Sequence, residues 1–158
     1  MSLKIRPMDP KDKPVIMRLL RAIPEFEPDE VTVAEEVIDS YLRDPVGSGY
    51  LIVVAEDPEI VGYVCYGPTP LTHGTWDLYW IAVSPENQGH GIGKALMLYV
   101  EDRIETARGR LVLIETSSKA DYEKTRGFYQ ARGYAEACRI QDFYAPGDDK
   151  VVLQKKLR

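Results

Sequence analysis

Three glycines at alternate positions, Gly89, Gly91 and Gly93, fall in the segment VSPENQGHGIGKA (residues 83–95). It lies between an aromatic and β-branched strand signal at 75–83 and a helical pattern at 94–106, in which Leu96, Val100 and Ile104 recur at helical spacing. A strand must therefore end, a bare backbone must turn and a helix must begin within one short stretch. Glycine leaves that backbone open to close approach by a ligand. The first N–H groups of the following helix have no carbonyl partner, and the helix dipole favours negative charge there. Lys94 adds a cation to the first turn, where it opposes the dipole unless an anion is present. The segment predicts a phosphate or pyrophosphate site. The competing reading is a glycine-rich connection made only for tight strand–helix packing.

Strand and helix signals alternate along the rest of the chain. Residues 3–6 read as a short strand. Asp9-Pro10 offers a helix start, with Val15, Leu19, Leu20 and Ile23 as the apolar side and Pro24 as the stop. Residues 25–30 read as an acidic loop, and a second helix is expected over 33–43 with Val37, Ile38 and Leu42 inward and Pro45 beyond it. Residues 50–56 and 59–66 form a predicted hairpin about Asp57-Pro58. After the central strand and helix come a strand at 111–116, a helix at 121–132 closed by Gly133, and two strands at 134–144 and 150–157. The order β-α-α-β-β-β-α-β-α-β-β predicts a mixed α/β fold. With 158 residues and no Gly/Pro/Ser linker, residues 1–158 are expected to form a single domain.

Composition narrows the class further. Twenty Lys and Arg against 25 Asp and Glu leave no general basic face for nucleic acid. There is no apolar run long enough for a membrane helix, and the charged start MSLKIRPMDPKDK is unlike a secretory signal. Cys65 and Cys138 lack metal-ligand or CxxC spacing, so neither a zinc site nor a disulfide framework is expected. A cytoplasmic protein without a metal is the consistent expectation.

Spacing decides between kinds of phosphate loop. A Walker A loop needs GxxxxGK[ST], but Gln88 stands at the first position and Ala95 follows Lys94. A dinucleotide fingerprint fails as well, since counting from Gly91 puts Leu96 third and counting from Gly89 puts Lys94 there. The pattern that fits is Q-x-x-G-x-G at Gln88, Gly91 and Gly93. It resembles the acetyl-CoA pyrophosphate loop of the GNAT acyltransferase superfamily. A second segment, TRGFYQARGY (125–134), is similar to the family's helix ending F-Y-x-x-x-G-F, with Phe128, Tyr129 and Gly133 matching.

The resemblance implies a single mixed, mostly antiparallel sheet flanked by helices, with a splayed central parallel strand pair that receives the pantetheine arm. Here those strands are 75–83 and 111–116. It implies acetyl-CoA as cosubstrate, with Ile81, Ala82, Val83, Gln88, Gly89, His90, Gly91, Ile92, Gly93, Lys94, Ser117, Tyr122, Thr125, Phe128 and Tyr129 on the cofactor side. The Ile81 N–H would face the thioester carbonyl, as a preorganised donor for a developing oxyanion. Tyr129 would be the general acid toward the departing thiolate. Tyr122 departs from the pattern, because many members carry Asn seven residues before that tyrosine; Ser117, Ser118 or Thr125 are the substitutes.

N-acetyl transfer needs a neutral amine, and hence a route for its proton. Asp77, four residues before Ile81, is the first candidate base, with Glu115 and His73 as others; His90, inside the loop, is not one. On a regular strand 77, 79 and 81 share a face, so Asp77 and Tyr79 are expected on the acceptor side. The acidic stretch 25–36, including Glu27, would attract a cationic amine. The aromatics Tyr63, Tyr66, Trp76, Tyr79, Trp80, Phe143 and Tyr144 divide between core and acceptor pocket. The final hairpin, on the same analogy, supplies Asp142 and Tyr144 to the acceptor wall and often a homodimer contact. The acceptor read from these features is a small cationic amine, with a protein N-terminus or lysine and a non-catalytic acyl-CoA-binding module as alternatives.

Overall fold

The computed structural model describes residues 2–157. Among them, seven strands form one sheet in the order β1-β2-β3-β4-β5-β7-β6. These are β1 (Lys4–Pro7), β2 (Leu51–Glu56), β3 (Ile60–Pro68), β4 (Thr75–Val83), β5 (Leu111–Ser117), β6 (Ala135–Ala145) and β7 (Asp148–Lys156). Every neighbouring pair is antiparallel except β4 and β5. That parallel pair is in register only from Thr75↔Leu111 to Leu78↔Ile114. Beyond Leu78, β4 stays on β3 while β5 stays on β7. The two strands therefore diverge, as the sequence reading expected.

Four helices cover the faces: α1 (Lys13–Arg21), α2 (Pro28–Arg43), α3 (Ile92–Thr106) and α4 (Glu123–Ala131). One apolar cluster joins α3 and α4 to the sheet through Leu96, Val100, Ile104, Val112, Ile114, Tyr129 and Leu153. Leu96, Val100 and Ile104 are fully buried, each contributing about 1.5–3 kcal/mol by the usual burial scale. The opposite face carries a second cluster in which α1 and α2 pack on Ile52, Val54, Tyr63, Cys65 and Ala82.

Two helix readings need correction. The second helix begins at Pro28 rather than 33, and Glu27 is its N-cap. Proline at the first helical position loses nothing, since its missing N–H would be unpaired there anyway, so the segment expected as a loop at 25–30 already holds the first turn of the helix. The buried face is Ala34, Ile38 and Tyr41, while Val37 and Leu42 only border the cluster. In the first helix a 3₁₀ turn at Pro10–Asp12 delays the start, so Ile16 and Met17 join Leu19, Leu20 and Ile23 inside in place of Val15.

Arg6 ties the start of α1 to the β1–β2 edge. Its guanidinium binds both oxygens of Asp12 at 2.8 and 3.1 Å and both of Glu56 at 3.0 and 3.1 Å. Burial raises the Asp12 pKa, but hydrogen bonds from Arg6 and from the Asp9 N–H outweigh it and hold it below its ordinary value. Glu56 is held low by Arg6 as well. Groups with depressed folded-state pKa values stabilise the fold above their unfolded pKa, and that stability is lost as pH falls through the folded values. Arg6→Ala, which strands the Asp12 carboxylate at 5% side-chain exposure, should cost about 3 kcal/mol at neutral pH, the lower end for a buried pair because Arg6 itself is partly exposed. Denaturant titrations of both forms should show that gap narrowing below roughly pH 4, as both carboxyls protonate.

Candidate active site

The loop after β4 is built for an exposed helix start. Gly91 is the N-cap of α3 with φ 81° and ψ 7°, a left-handed conformation that L side chains resist. The first intrahelical bond runs from the Ala95 N–H to the Gly91 carbonyl at 3.0 Å. The N–H groups of Ile92, Gly93 and Lys94 precede it and have no carbonyl within the helix. Gly93 is explained differently, because a Cβ there would lie 3.1 Å from the Phe128 ring. Tight packing and an open N-terminus thus both hold, at different glycines. Gln88 Nε2 donates to the Val83 carbonyl at 3.1 Å, His90 Nδ1 lies 3.1 Å from the Asn87 carbonyl, and the Asn87 amide donates to Ser84 Oγ. The loop is therefore held by its own side chains.

This loop, β4 and α4 enclose a groove of about 350 Å³. Of the residues expected on the cofactor side, Ile81, Val83, Gln88, Gly89, Gly91, Ile92, Gly93, Lys94, Thr125, Phe128 and Tyr129 line it. Four do not. Ala82 is buried in the α1–α2 cluster, and His90 is exposed. Ser117 is buried and donates to Asp148, while the Tyr122 hydroxyl donates toward the Glu25 carbonyl at 3.1 Å and Glu30 Oε2 at 3.2 Å. Glu25, Asn87, Asp121, Lys124 and Arg132 line the groove without having been expected. The last two had a legible signal: 124, 125, 128, 129 and 132 fall on one side of a helix. Lys94, Lys124 and Arg132 gather positive charge here in a chain of net charge −5, with Arg132 set 5.3 Å over the Phe128 ring.

Tyr129 is 5% exposed, with its ring edge-on to Phe128 at 5.5 Å and to Tyr134 at 6.1 Å. Tyr134 in turn donates to buried Glu101 at 2.8 Å, and Lys155 closes that pair at 3.0 Å. The Tyr129 hydroxyl has no hydrogen-bond partner among the described residues, yet it lines the groove. Burial raises its pKa, so the phenol keeps its proton at neutral pH.

Asp77 lies elsewhere. It accepts hydrogen bonds from Thr69 Oγ1 at 2.7 Å and the Tyr79 hydroxyl at 3.5 Å, and the Tyr79 ring sits edge-on to Tyr50 at 5.3 Å. Burial first, then Asp77, pushes the Tyr79 pKa up to about 12. The expectation that 77, 79 and 81 share a face is overturned. The β3–β4 register shifts between Cys65 and Tyr66, which pair with Trp80 and Leu78 and leave Tyr79 as the extra residue. A bulge of this kind breaks the alternation. Tyr79 and Trp80 then pack on the α1–α2 cluster while Ile81 and Val83 pack on the α3–α4 side.

Of the other acceptor-side residues, Glu115 pairs with Lys150 at 3.0 Å, and Lys150 lies 4.4 Å over the Phe143 ring. Tyr144 is raised in pKa by burial and then by Glu115, Asp148 and Glu30, which places it amid carboxylates. Glu27 is exposed at the α2 N-cap, and His73 is exposed with its carbonyl accepting from Arg110. Asp142 holds the β6–β7 turn, its N–H bonded to Asp149 and its carboxylate to the Gly147 N–H. Tyr63 and Tyr66 are core residues. No metal-holding group of His, Cys, Asp or Glu occurs among the described residues, and no helix there is long and apolar enough to cross a membrane.

The family model for the acetyltransferase (GNAT) domain matches residues 47–136. A crystal structure of a GNAT-family protein from Desulfovibrio desulfuricans is 38% identical, with 99% of this chain and 100% of that one covered at a TM-score of 0.95. The fold is also shared with the ribosomal-protein-S18-alanine N-acetyltransferase of Escherichia coli (18% identity, 99% and 94% covered, TM-score 0.77). PaiA N-acetyltransferase of Thermoplasma acidophilum, in complex with coenzyme A, is similar as well (15%, 99% and 99%, TM-score 0.76). No curated protein sequence matches the chain.

Proposed function

This chain belongs to the GNAT acetyltransferase family, and from that premise we propose that it moves the acetyl group of acetyl-CoA onto the primary amine of a small cationic acceptor. The observation that carries this reading is the groove itself. One cleft joins an open helix N-terminus, three cations, the diverging end of β4 and a buried phenol with an unpartnered hydroxyl.

The N–H groups of Ile92, Gly93 and Lys94, with the side chains of Lys94, Lys124 and Arg132, hold the pyrophosphate by charge-assisted hydrogen bonds. Past Leu78, β4 has no strand on its β5 side, and the Ile81 N–H polarises the thioester carbonyl there. The amine nitrogen forms a bond to the carbonyl carbon, the C–S bond breaks, and Tyr129 gives its proton to sulfur. Its raised pKa keeps the proton on the phenol until thiolate charge develops on sulfur. The amine's own proton leaves by a carboxylate or water.

The acceptor enters from the side where the α1–α2 segment, β4 and the β6–β7 hairpin meet, and Glu27, Tyr79, Glu115 and Tyr144 belong to that approach. Its aromatic and acidic character suits an ammonium group. In this reading residues 1–158 act as one catalytic domain in the cytoplasm. Exposed along its whole length, β6 is the edge on which a second copy would pair.

The test is coenzyme A release, followed with a thiol reagent across a library of amines, amino acids and peptides, with products checked by mass. Turnover with small cationic amines is expected. Exclusive turnover of peptides would move the acceptor to protein N-termini or lysines. Saturable acetyl-CoA binding with no acetylated product from any acceptor would leave a binding module in place of an enzyme.

A further inference from the structure

Tyr122 occupies the start of α4, beside the groove, yet its hydroxyl reaches the other bank. It approaches the Glu25 carbonyl at 3.1 Å and the Glu30 carboxylate at 3.2 and 3.4 Å. Its single proton is shared between partners 97 and 92 residues away. The same Glu30 carboxylate receives the Glu27 N–H at 3.4 Å, across the first turn of α2. One carboxylate thus fixes both the helix start and the tyrosine. Between these two anchor points, at 25 and 30, lies the turn that leads into α2. Glu25 lines the groove that also contains Ile81 and Tyr129. Neither Glu25 nor Glu30 has a lysine or arginine at ion-pair distance among the described residues, so neither carboxylate is neutralised by a direct ion pair, although Lys94, Lys124 and Arg132 line the same cleft as Glu25.

We propose that Tyr122 is a positioning residue for the acceptor: its hydroxyl pins the 25–30 turn to the cofactor-side helix, and so holds the carboxylate of Glu25 at the end of the groove where an incoming ammonium group is received. This rests on the acetyltransferase reading and adds a residue to it. It gives Tyr122 a role toward the acceptor rather than toward coenzyme A. Burial, followed by Glu30, raises the Tyr122 pKa, so the hydroxyl stays protonated and able to donate throughout the neutral range.

Tyr122→Phe removes the hydroxyl and keeps the ring. It should raise the KM of the amine roughly tenfold, the scale of one hydrogen bond to a charged group, with kcat and the affinity for coenzyme A within about twofold. Glu30→Ala should do the same. The double variant should lose less than the sum of the two single losses, since both changes cut the Tyr122–Glu30 contact. Amide hydrogen exchange gives a readout free of turnover: residues 24–31 should exchange faster in Tyr122→Phe, while the loop at 87–93 should not change. An unchanged amine KM, additive effects of the two substitutions, or unchanged exchange at 24–31 would each overturn the proposal. Weakened coenzyme A binding with an unchanged amine KM would return Tyr122 to the cofactor. If the wild type acetylates no amine, the acetyltransferase reading fails, and this one fails with it; turnover by the wild type matched by Tyr122→Phe removes only the positioning role.

Discussion

Tyr129→Phe should lower kcat about a hundredfold while the affinity for coenzyme A stays within twofold, the scale expected for losing a positioned general acid. The substitution suits the question because the ring is fully committed to packing. Its edge contacts with Phe128 at 5.5 Å and Tyr134 at 6.1 Å need no hydroxyl, and that hydroxyl has no partner among the described residues. Phenylalanine therefore leaves no buried polar group unsatisfied and opens no cavity. With burial raising the Tyr129 pKa, the phenol remains protonated across the range from about pH 6 to 9. The pH profile of the wild type should accordingly rise with deprotonation of the amine and show no falling limb in that range. Steady-state kinetics with a saturating amine check both statements. An unchanged kcat would remove the acid role and leave Tyr129 as a wall of the groove.

The second large effect is on binding. Gly91→Val should weaken coenzyme A at least tenfold, because Gly91 starts α3 at φ 81° and a β-branched residue is strained there by about 1–2 kcal/mol or more. Space is not the problem, since a Cβ at Gly91 would meet nothing within 4 Å. Relieving the strain means rotating the N-cap, and that re-aims the N–H groups of Ile92, Gly93 and Lys94. The fold should survive, as the buried positions of α3 start at Ile92 and continue through Leu96, Met97 and Val100. Titration of the variant, alongside its melting temperature, separates lost binding from lost folding. Wild-type affinity in a folded Gly91→Val protein would mean that these amides do not hold the ligand.

Local signals made the loop readable. The glycine spacing, the strand before it and the apolar repeat after it all lie within adjacent residues, and each settles one element. The diverging β4–β5 pair came from resemblance, because no property of 75–83 or 111–116 alone tells where their pairing ends. Tyr79 shows the limit of periodicity: a single bulged residue moves it to the face opposite Ile81, and a period-two pattern cannot register that shift. Pro28 lies in the segment expected as an acidic loop, yet it opens a helix, because its effect depends on position and not on residue type alone. Lys124 and Arg132 were legible as one helix face. Glu25 was not, since only the fold brings it to α4, and the bonds of Tyr122 bridge nearly a hundred positions of chain.

The central claim is that the cleft between the glycine loop, β4 and α4 takes the diphosphate and thiol arm of coenzyme A. Calorimetric titration of the whole chain with coenzyme A measures this most directly. Saturable binding to a single site per chain is expected, weakening as salt screens Lys94, Lys124 and Arg132, with NAD giving no comparable heat. No saturation by coenzyme A at millimolar concentration, or equal binding of NAD, would contradict it.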